Sequence, residues 1–348
     1  MAGHKYASDT ARVGIVKGEI LKQAMFDEVF SSAGKTLKMD QNQGKTYKVK
    51  RFLPYGGVDN QWLAAGGDDE YVAEHLTAEG VTPSADSVTS TILSLVPQQY
   101  SCLYSYTNDT AILFEDDIPM EEVSQAAKRI RLVRELHDYG KLKACTNAFY
   151  GGTGTSTATV NGGISGNLLR KVKRDLQRYH CDPVMSALAP GPDYATYPVD
   201  AAWHVFCHTD CESDLYDLPG FIKVAEYGSS RKAVHQREIG SWESFRFITA
   251  PHLTYYPAGG AVIGTTGLKA DDSTNIDVYP MIVMGKDAFG QLALRGKNAI
   301  EANHIPHTTK DKSDPGGQRG YVWASTWHDG EILNQDWMSV IEVGVTDL

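Results

Sequence analysis

The sequence predicts an α+β fold that carries a long extended segment in its N-terminal third. Three patterns predict it. One uninterrupted helical period begins near residue 118, short apolar runs alternate with loops through the second half, and more than twenty residues with few regular signals separate two strand-like runs. At 348 residues the chain is long enough to bury a sizeable core, in one domain or two.

The N-terminal elements are a helix on a thin arm and a half-exposed strand. Residues 18–30 ("GEILKQAMFDEVF") place Leu21, Met25 and Val29 four positions apart, which is typical of an amphipathic helix. In residues 44–54 ("GKTYKVKRFLP"), tyrosine and valine alternate with two lysines. This alternation predicts a strand with one face toward solvent.

The next segment is irregular and is followed by a second strand region. Residues 55–79 are rich in glycine and acidic side chains, and residues 80–106 are rich in Thr, Ser, Val and Tyr. An irregular stretch of this length between two strands usually has a function or projects from the domain.

The clearest element is a long helix that starts in "EDDIPMEEV". Asp116 or Asp117 can cap its N-terminus, and Pro119 fits its first turn. We expect the helix to lie within about residues 118–148, where about 28 helical residues at 1.5 Å each would span roughly 40 Å.

The second half contains a glycine–threonine linker, a shorter helix and several buried strands. The apolar runs that predict the strands are separated by turn residues. In order, these segments are "YGGTGTSTATVNGGISGN", "NLLRKVKRDLQRYH", "AAWHVFC", "FRFITA", "VYPMIVMG" and a final pair of strands within "RGYVWASTWHDGEILNQDWMSVIEVGV".

Composition and charge exclude several classes of function. The formal net charge of −10 argues against a surface that grips nucleic-acid phosphates. No apolar run approaches the length of a membrane helix, and the N-terminus has no apolar signal core. The cysteines are few and scattered, so we expect reduced thiols in a cytosolic environment: Cys102, Cys145, Cys181, Cys207 and Cys211.

The nucleotide-binding and hydrolase motifs are incomplete or missing. Two GKT tripeptides begin at Gly34 and Gly44, but the positions five residues earlier hold Val29 and Met39 where a P-loop requires glycine. Neither a GxSxG elbow nor an HExxH helix occurs in the sequence.

One segment, "WHVFCHTDCESDLYDL", has the composition of a metal site. On a helix, the spacing i, i+3, i+4, i+7 would place four zinc ligands on one face: His204, Cys207, His208 and Cys211. The flanking aromatic and β-branched residues favour a strand instead, on which these side chains point to opposite faces. We therefore expect a core strand that ends in a turn capped by Thr209 or Asp210.

Several segments resemble the major capsid proteins of tailed bacteriophages, most closely the branch represented by the coliphage N-four coat protein. They occur in the same order along the chain: "GKTYKVKRFLP", "EGVTP", "HTDCESDLYDL", "REIGSWESFRFITAP" and "DPGGQRGYVWASTWHDGEILNQDWMSVIEVG". Two departures stand out: Thr209 replaces the family's usual proline, and Ala250 stands where threonine is common.

The resemblance implies the Hong Kong ninety-seven type of capsid fold, which encapsulins and herpesvirus shell proteins share. Its parts are expected at residues 1–44 (N-terminal arm), 45–95 (extended loop), 96–181 (peripheral domain with a spine helix at about 118–148), 182–315 (axial domain) and 316–348 (strands that return to the peripheral domain).

The resemblance also implies a non-enzymatic structural protein without cofactor or metal. Such a chain forms hexamers and pentamers of an icosahedral shell that encloses double-stranded DNA without reading its sequence. Scaffolding, decoration and portal proteins are the implied partners. The implied location is the virion capsid, after assembly in the host bacterial cytoplasm and without a membrane.

Side chains of the arm and loop that cannot be buried within one subunit are the expected inter-subunit contacts. They are Leu21, Met25, Val29, Lys48, Lys50, Arg51, Val58, Trp62, Leu63, Tyr71, Val72 and Leu76. Two alternatives stay open on the sequence alone. One is an encapsulin-like compartment that encloses cargo enzymes, and the other is a zinc-dependent enzyme centred on His204 to Cys211.

Overall fold

The computed structural model describes residues 28–42, 44–53, 76–77, 79–82, 88–113, 118–184, 201–227, 233–264, 266–272, 274–294, 300–310 and 312–348. The strands within these ranges are β1 (Lys35–Met39), β2 (Tyr47–Phe52), β3 (Ser90–Leu95), β4 (Gln98–Thr107), β5 (Ala148–Tyr150), β6 (Trp203–Cys207), β7 (Ile222–Lys223), β8 (Glu238–Trp242), β9 (Phe245–Thr249), β10 (Tyr279–Met284), β11 (Phe289–Leu294), β12 (Glu301–Ile305), β13 (Arg319–His328), β14 (Gly330–Ile332) and β15 (Met338–Val343). The α-helices are α1 (Asn108–Leu113), α2 (Ile118–Lys143), α3 (Gly166–Arg178) and α4 (Glu212–Tyr216). The α+β prediction is confirmed.

The largest sheet has seven strands in the order β5-β15-β10-β6-β9-β8-β7. It is mixed, because β6 pairs with β9 and β5 with β15 in parallel, whereas the other pairs are antiparallel. Every residue of β6, β9, β10 and β15 is buried. These strands are covered on both faces, which explains why most of their residues are apolar, although Arg246, Ser339 and Glu342 are buried among them.

Helix α3 covers one face of this sheet. Leu169, Val172 and Leu176 form a fully buried stripe on α3 and belong to the same core cluster as Val205 and Phe247. The Ser165 hydroxyl accepts a hydrogen bond from Leu168 N and caps the helix. The segment "NLLRKVKRDLQRYH" is therefore an amphipathic helix, as predicted, with its basic residues mostly on the outer face.

The spine helix α2 joins the two main layers of the protein. Its N-terminal part packs through Ala126 and Ile130 against the three-stranded sheet β12-β13-β4. Its C-terminal part buries Tyr139 and Leu142 in the core on the other face of the seven-stranded sheet, next to Phe206. The spine helix α2 thus contacts both sheets and fixes their relative position.

The spine helix ends at Lys143, not near residue 148 as predicted. The chain turns at Ala144 and Cys145 and then becomes strand β5, which pairs with β15 from Ala148 onward. The Asn147 side-chain amide donates to Asp175 Oδ2 at 2.9 Å and to Ser339 Oγ at 3.0 Å. These tertiary contacts hold the chain extended where the helical pattern alone would continue.

A smaller three-stranded sheet, β1-β11-β14, and the hairpin β2–β3 complete the described structure. They enclose a separate core cluster formed by Leu37, Met39, Leu95 and Leu292. The predicted strands at residues 44–54 and within 80–106 are confirmed as β2, β3 and β4. No helix in the described ranges is both long and apolar enough to cross a bilayer.

The C-terminal strands of residues 316–348 lie in different sheets. Strand β13 pairs with β4 along ten residues, next to the spine helix. Strand β15 instead lies between β5 and β10 in the seven-stranded sheet. All six of its residues are buried there, with neighbouring strands on both sides. Elements β5 and α3, which were predicted within residues 96–181, pack in the large sheet as well.

Candidate functional site

The four potential zinc ligands between residues 204 and 211 do not converge. On strand β6, the Cys207 side chain lies in the core beneath α3, together with Cys211. The His204 side chain lies on the opposite face of the sheet and contacts Phe206 there. Burial raises the pKa of both cysteine thiols and lowers the pKa of His204 to about 4. The cysteines are therefore neutral core side chains, and the predicted strand is confirmed.

The turn after β6 is capped by His208. The His208 side chain accepts a hydrogen bond from Asp210 N through Nδ1 at 3.0 Å, so the prediction of Thr209 or Asp210 as the cap is wrong. The Asp210 carboxylate is used elsewhere, because it accepts from Tyr279 Oη at 2.8 Å and from Lys269 Nζ at 3.1 Å. These hydrogen bonds indicate that residues 208–210 hold the turn in place and do not form a metal site.

The hairpin β2–β3 has one anchored face and one free face. Leu95 is fully buried against Leu37 and Leu292 on the anchored face. On the free face, the side chains of Phe52 and Ile92 are 61% and 58% exposed. The hairpin thus presents an apolar surface that its own subunit leaves uncovered in the described structure.

Predicted contact residues near this hairpin differ in their exposure. Lys48 and Lys50 are exposed, and Lys50 Nζ lies 4.8 Å from the centre of the Phe52 ring. The Arg51 guanidinium is half-buried and donates to the Leu333 carbonyl at 3.4 Å in its own subunit. Leu76 is 81% exposed. The other predicted loop contacts lie outside the described residues: Val58, Trp62, Leu63, Tyr71 and Val72.

The end of the N-terminal arm is fixed to the spine helix. Glu135 Oε1 accepts hydrogen bonds from Val29 N at 2.8 Å and Phe30 N at 3.2 Å, and the Phe30 ring stacks on Tyr139 at 6.0 Å. Val29 is fully buried in this core, so its prediction as a contact between subunits is wrong. The other predicted arm contacts, Leu21 and Met25, lie outside the described residues.

A second exposed apolar surface was not predicted. It lies on the face of the sheet β12-β13-β4 that points away from the spine helix. Leu103 and Trp323 are cross-strand partners there, 40% and 37% exposed, and Ile305 nearby is 49% exposed. Alternation along β13 carries the signal, because Val322 and Ala324 are buried on the opposite face.

The structure also brings together three polar side chains that belong to none of the sequence motifs. His137 and Asp138 of the spine helix meet His328 at the end of β13. The two segments are 190 residues apart in the chain, so no local spacing could reveal the group.

Comparison with known proteins is informative at the level of structure only. No protein-family model and no curated protein sequence matches the chain. Solved phage capsid structures do match. The capsid of Ralstonia phage GP4 aligns with a TM-score of 0.65 at 10% identity, over 100% of this chain and 99% of that chain.

Two further structures agree. The capsid of cyanophage P-SCSP1u gives a TM-score of 0.58 at 11% identity, over 96% of this chain and 93% of that chain. The head of Helicobacter pylori bacteriophage KHP40 gives 0.57 at 12% identity, over 99% and 98%. The chain therefore has the tailed-phage capsid fold of the Hong Kong ninety-seven type that its sequence motifs implied.

Proposed function

We propose that the protein is the structural major capsid protein of a tailed phage, which self-assembles into the hexamers and pentamers of an icosahedral shell. One observation carries this proposal: the fold matches phage capsid structures over almost the whole length of both chains. A match of this extent leaves little of the chain for an added catalytic domain. The proposed role is structural, and the capsid structures that share the fold support it.

The exposed apolar surfaces support the proposal that neighbouring subunits cover them in an assembly. The free face of β2–β3 and the outer face of β12-β13-β4 both hold large apolar side chains in contact with solvent. In a shell, many such modest contacts combine through multivalency into a stable assembly. Lys48, Lys50, Arg51 and Leu76, together with the residues beyond the described ranges, remain proposed contacts on this basis.

The charge of the chain fits an enclosed genome. A formal net charge of −10 disfavours adhesion to DNA, because like charges raise the free energy of close contact. Double-stranded DNA would then be held by confinement inside the shell. Scaffolding, decoration and portal proteins are the further proposed partners, and assembly is proposed to occur in the host bacterial cytoplasm.

The finer assignments rest on the order of the sequence motifs. They are the coliphage N-four-like branch and the division into an arm (1–44), an extended loop (45–95), a peripheral domain (96–181), an axial domain (182–315) and return strands (316–348).

Electron microscopy tests the proposal directly. The purified chain, expressed alone and with the scaffolding protein of its own genome, is expected to form closed shells of uniform size. A chain that stays monomeric in both preparations would contradict the proposal. Analysis of shells purified from infected cells should detect double-stranded DNA, whereas a cargo enzyme without DNA would favour the encapsulin-like alternative.

A further inference from the structure

Three side chains that commonly bind metals meet where the spine helix contacts the end of β13. They are His137, Asp138 and His328, and one potential ligand atom of each lies within 4.8 Å of the others. Asp138 Oδ1 lies 2.7 Å from His328 Nε2 and 3.5 Å from His137 Nδ1. Two imidazole nitrogens and one carboxylate oxygen therefore lie close together.

The spacing of these atoms fits a small transition-metal ion. Zinc binds histidine nitrogen and carboxylate oxygen at about 2.0–2.2 Å, and a tetrahedral arrangement then separates the ligand atoms by about 3.3 Å. The two distances from Asp138 Oδ1 lie on either side of this value. Small rotations of the side chains about their χ angles, which move these atoms by less than about 1 Å, would equalise the two distances.

The atoms that would not bind the metal have their own partners. Asp138 Oδ2 accepts a hydrogen bond from Gln291 Nε2 at 2.7 Å, and His137 Nε2 lies 3.9 Å from Asp329 Oδ1. Asp329 in turn accepts from Val96 N through its other oxygen at 2.6 Å. The hydrogen bond from Gln291 is the kind of outer contact that orients a ligand of a metal site.

The charge and burial of the group also favour a cation. Within the described part of the chain, the ion pairs of Asp138 and Asp329 involve histidines, and the nearby Lys141 pairs with Glu331 at 2.8 Å while also interacting electrostatically with Asp329. The side chains of Asp138 and His328 are 2% exposed, so their environment screens charge poorly. His137 is 22% exposed and leaves a route for an ion and a water ligand.

We propose that His137, Asp138 and His328 bind a divalent transition-metal cation of the zinc class. The ion would link the spine helix directly to β13 and, through Gln291, to β11. It would act as a structural cross-link at the junction of these elements. This proposal is independent of whether the chain forms shells.

Calorimetric titration of the full-length chain with ZnCl₂, after chelator treatment and dialysis, tests the site. The wild-type chain is expected to bind one zinc ion, and elemental analysis after gel filtration should find the same stoichiometry. His137→Ala should weaken zinc binding at least about 10-fold, because it removes one ligand. Its partly exposed ring makes it the substitution of the three that disturbs the core least.

The control is His180→Asn, which removes an exposed histidine from another part of the molecule. Asparagine tolerates the left-handed backbone there, where φ is 53°. This control should bind zinc as the wild type does, and circular dichroism should show that both variants are folded. Absence of zinc binding by the wild type, or unchanged binding by folded His137→Ala, would overturn the proposal. Equal weakening in His180→Asn would overturn it too.

Discussion

At the scale of single residues, His204 should make the stability of the chain depend on mild acid. It is 1% exposed in β6, and burial, together with the charges of Arg246 and His235, lowers its pKa to about 4. The unfolded chain binds a proton at this residue near pH 6.5, whereas the folded chain binds it only near pH 4. The free energy of unfolding therefore falls as the pH is lowered through this window, by at most about 1.4 kcal/mol per pH unit.

Replacing His204 by Gln should remove this contribution and flatten the profile between pH 6.5 and 4. Urea unfolding of the soluble chain at several pH values in this range measures the slope. The exposed His180→Asn variant serves as the control and should retain the wild-type slope. If His204→Gln has the same slope as the wild type, the buried imidazole is not the group responsible.

At the scale of elements, the spine helix holds the end of the N-terminal arm through one carboxylate. Glu135 Oε1 accepts from two backbone N–H groups, those of Val29 and Phe30, in a buried environment. Glu135→Ala leaves both donors without this acceptor, and we expect the free energy of unfolding to fall by about 1–3 kcal/mol. Denaturant unfolding of the two chains measures the difference.

Glu121→Ala on the same helix is the matched control. Glu121 accepts from Gln125 one turn later, a pair worth only about 0.2–0.5 kcal/mol. Equal losses in the two variants would show that the contact with the arm is not special. Protease digestion should also cut Glu135→Ala near residues 28–30 faster than the control.

The same elements show what the sequence could and could not predict. Strands β2, β6, β9 and β10 follow from period-2 alternation or from short apolar runs, because these patterns depend on which face is buried locally. The end of the spine helix did not follow, because Asn147 and the pairing of β5 with β15 act across almost 200 residues. The place of β15 does not follow from the sequence either, because burial on both faces does not specify which neighbouring strands cover it.

For the candidate sites too, local patterns were predictable from the sequence and tertiary contacts were not. The sequence correctly separated the ligands of the 204–211 segment, because alternation along a strand is a local property. It could not find His137, Asp138 and His328, which tertiary packing alone brings together. The sequence predicts Val29 as a contact between subunits because it does not show the tertiary packing that buries Val29 in the core beside Tyr139.

At the scale of the whole molecule, the free face of the β2–β3 hairpin should decide whether subunits assemble. Phe52 and Ile92 are more than half exposed, so Phe52→Asp and Ile92→Asp should leave the fold and its thermal stability nearly unchanged. If a neighbour covers this face in the shell, each new carboxylate would be desolvated at every copy of the interface, at a cost of several kcal/mol. Closed shells should then be lost, while folded subunits or small oligomers accumulate in gel filtration and electron microscopy.

Phe52→Leu is the conservative control, since it keeps an apolar side chain at the same place and should still form shells. The comparison separates loss of the surface from loss of the fold, because circular dichroism and thermal unfolding report on the subunit alone. Normal shells from both aspartate variants would place this face outside the subunit contacts, even if the capsid role is correct. The outer face around Leu103 and Trp323 would then be the next surface to test, because it is the other exposed apolar patch on the described strands.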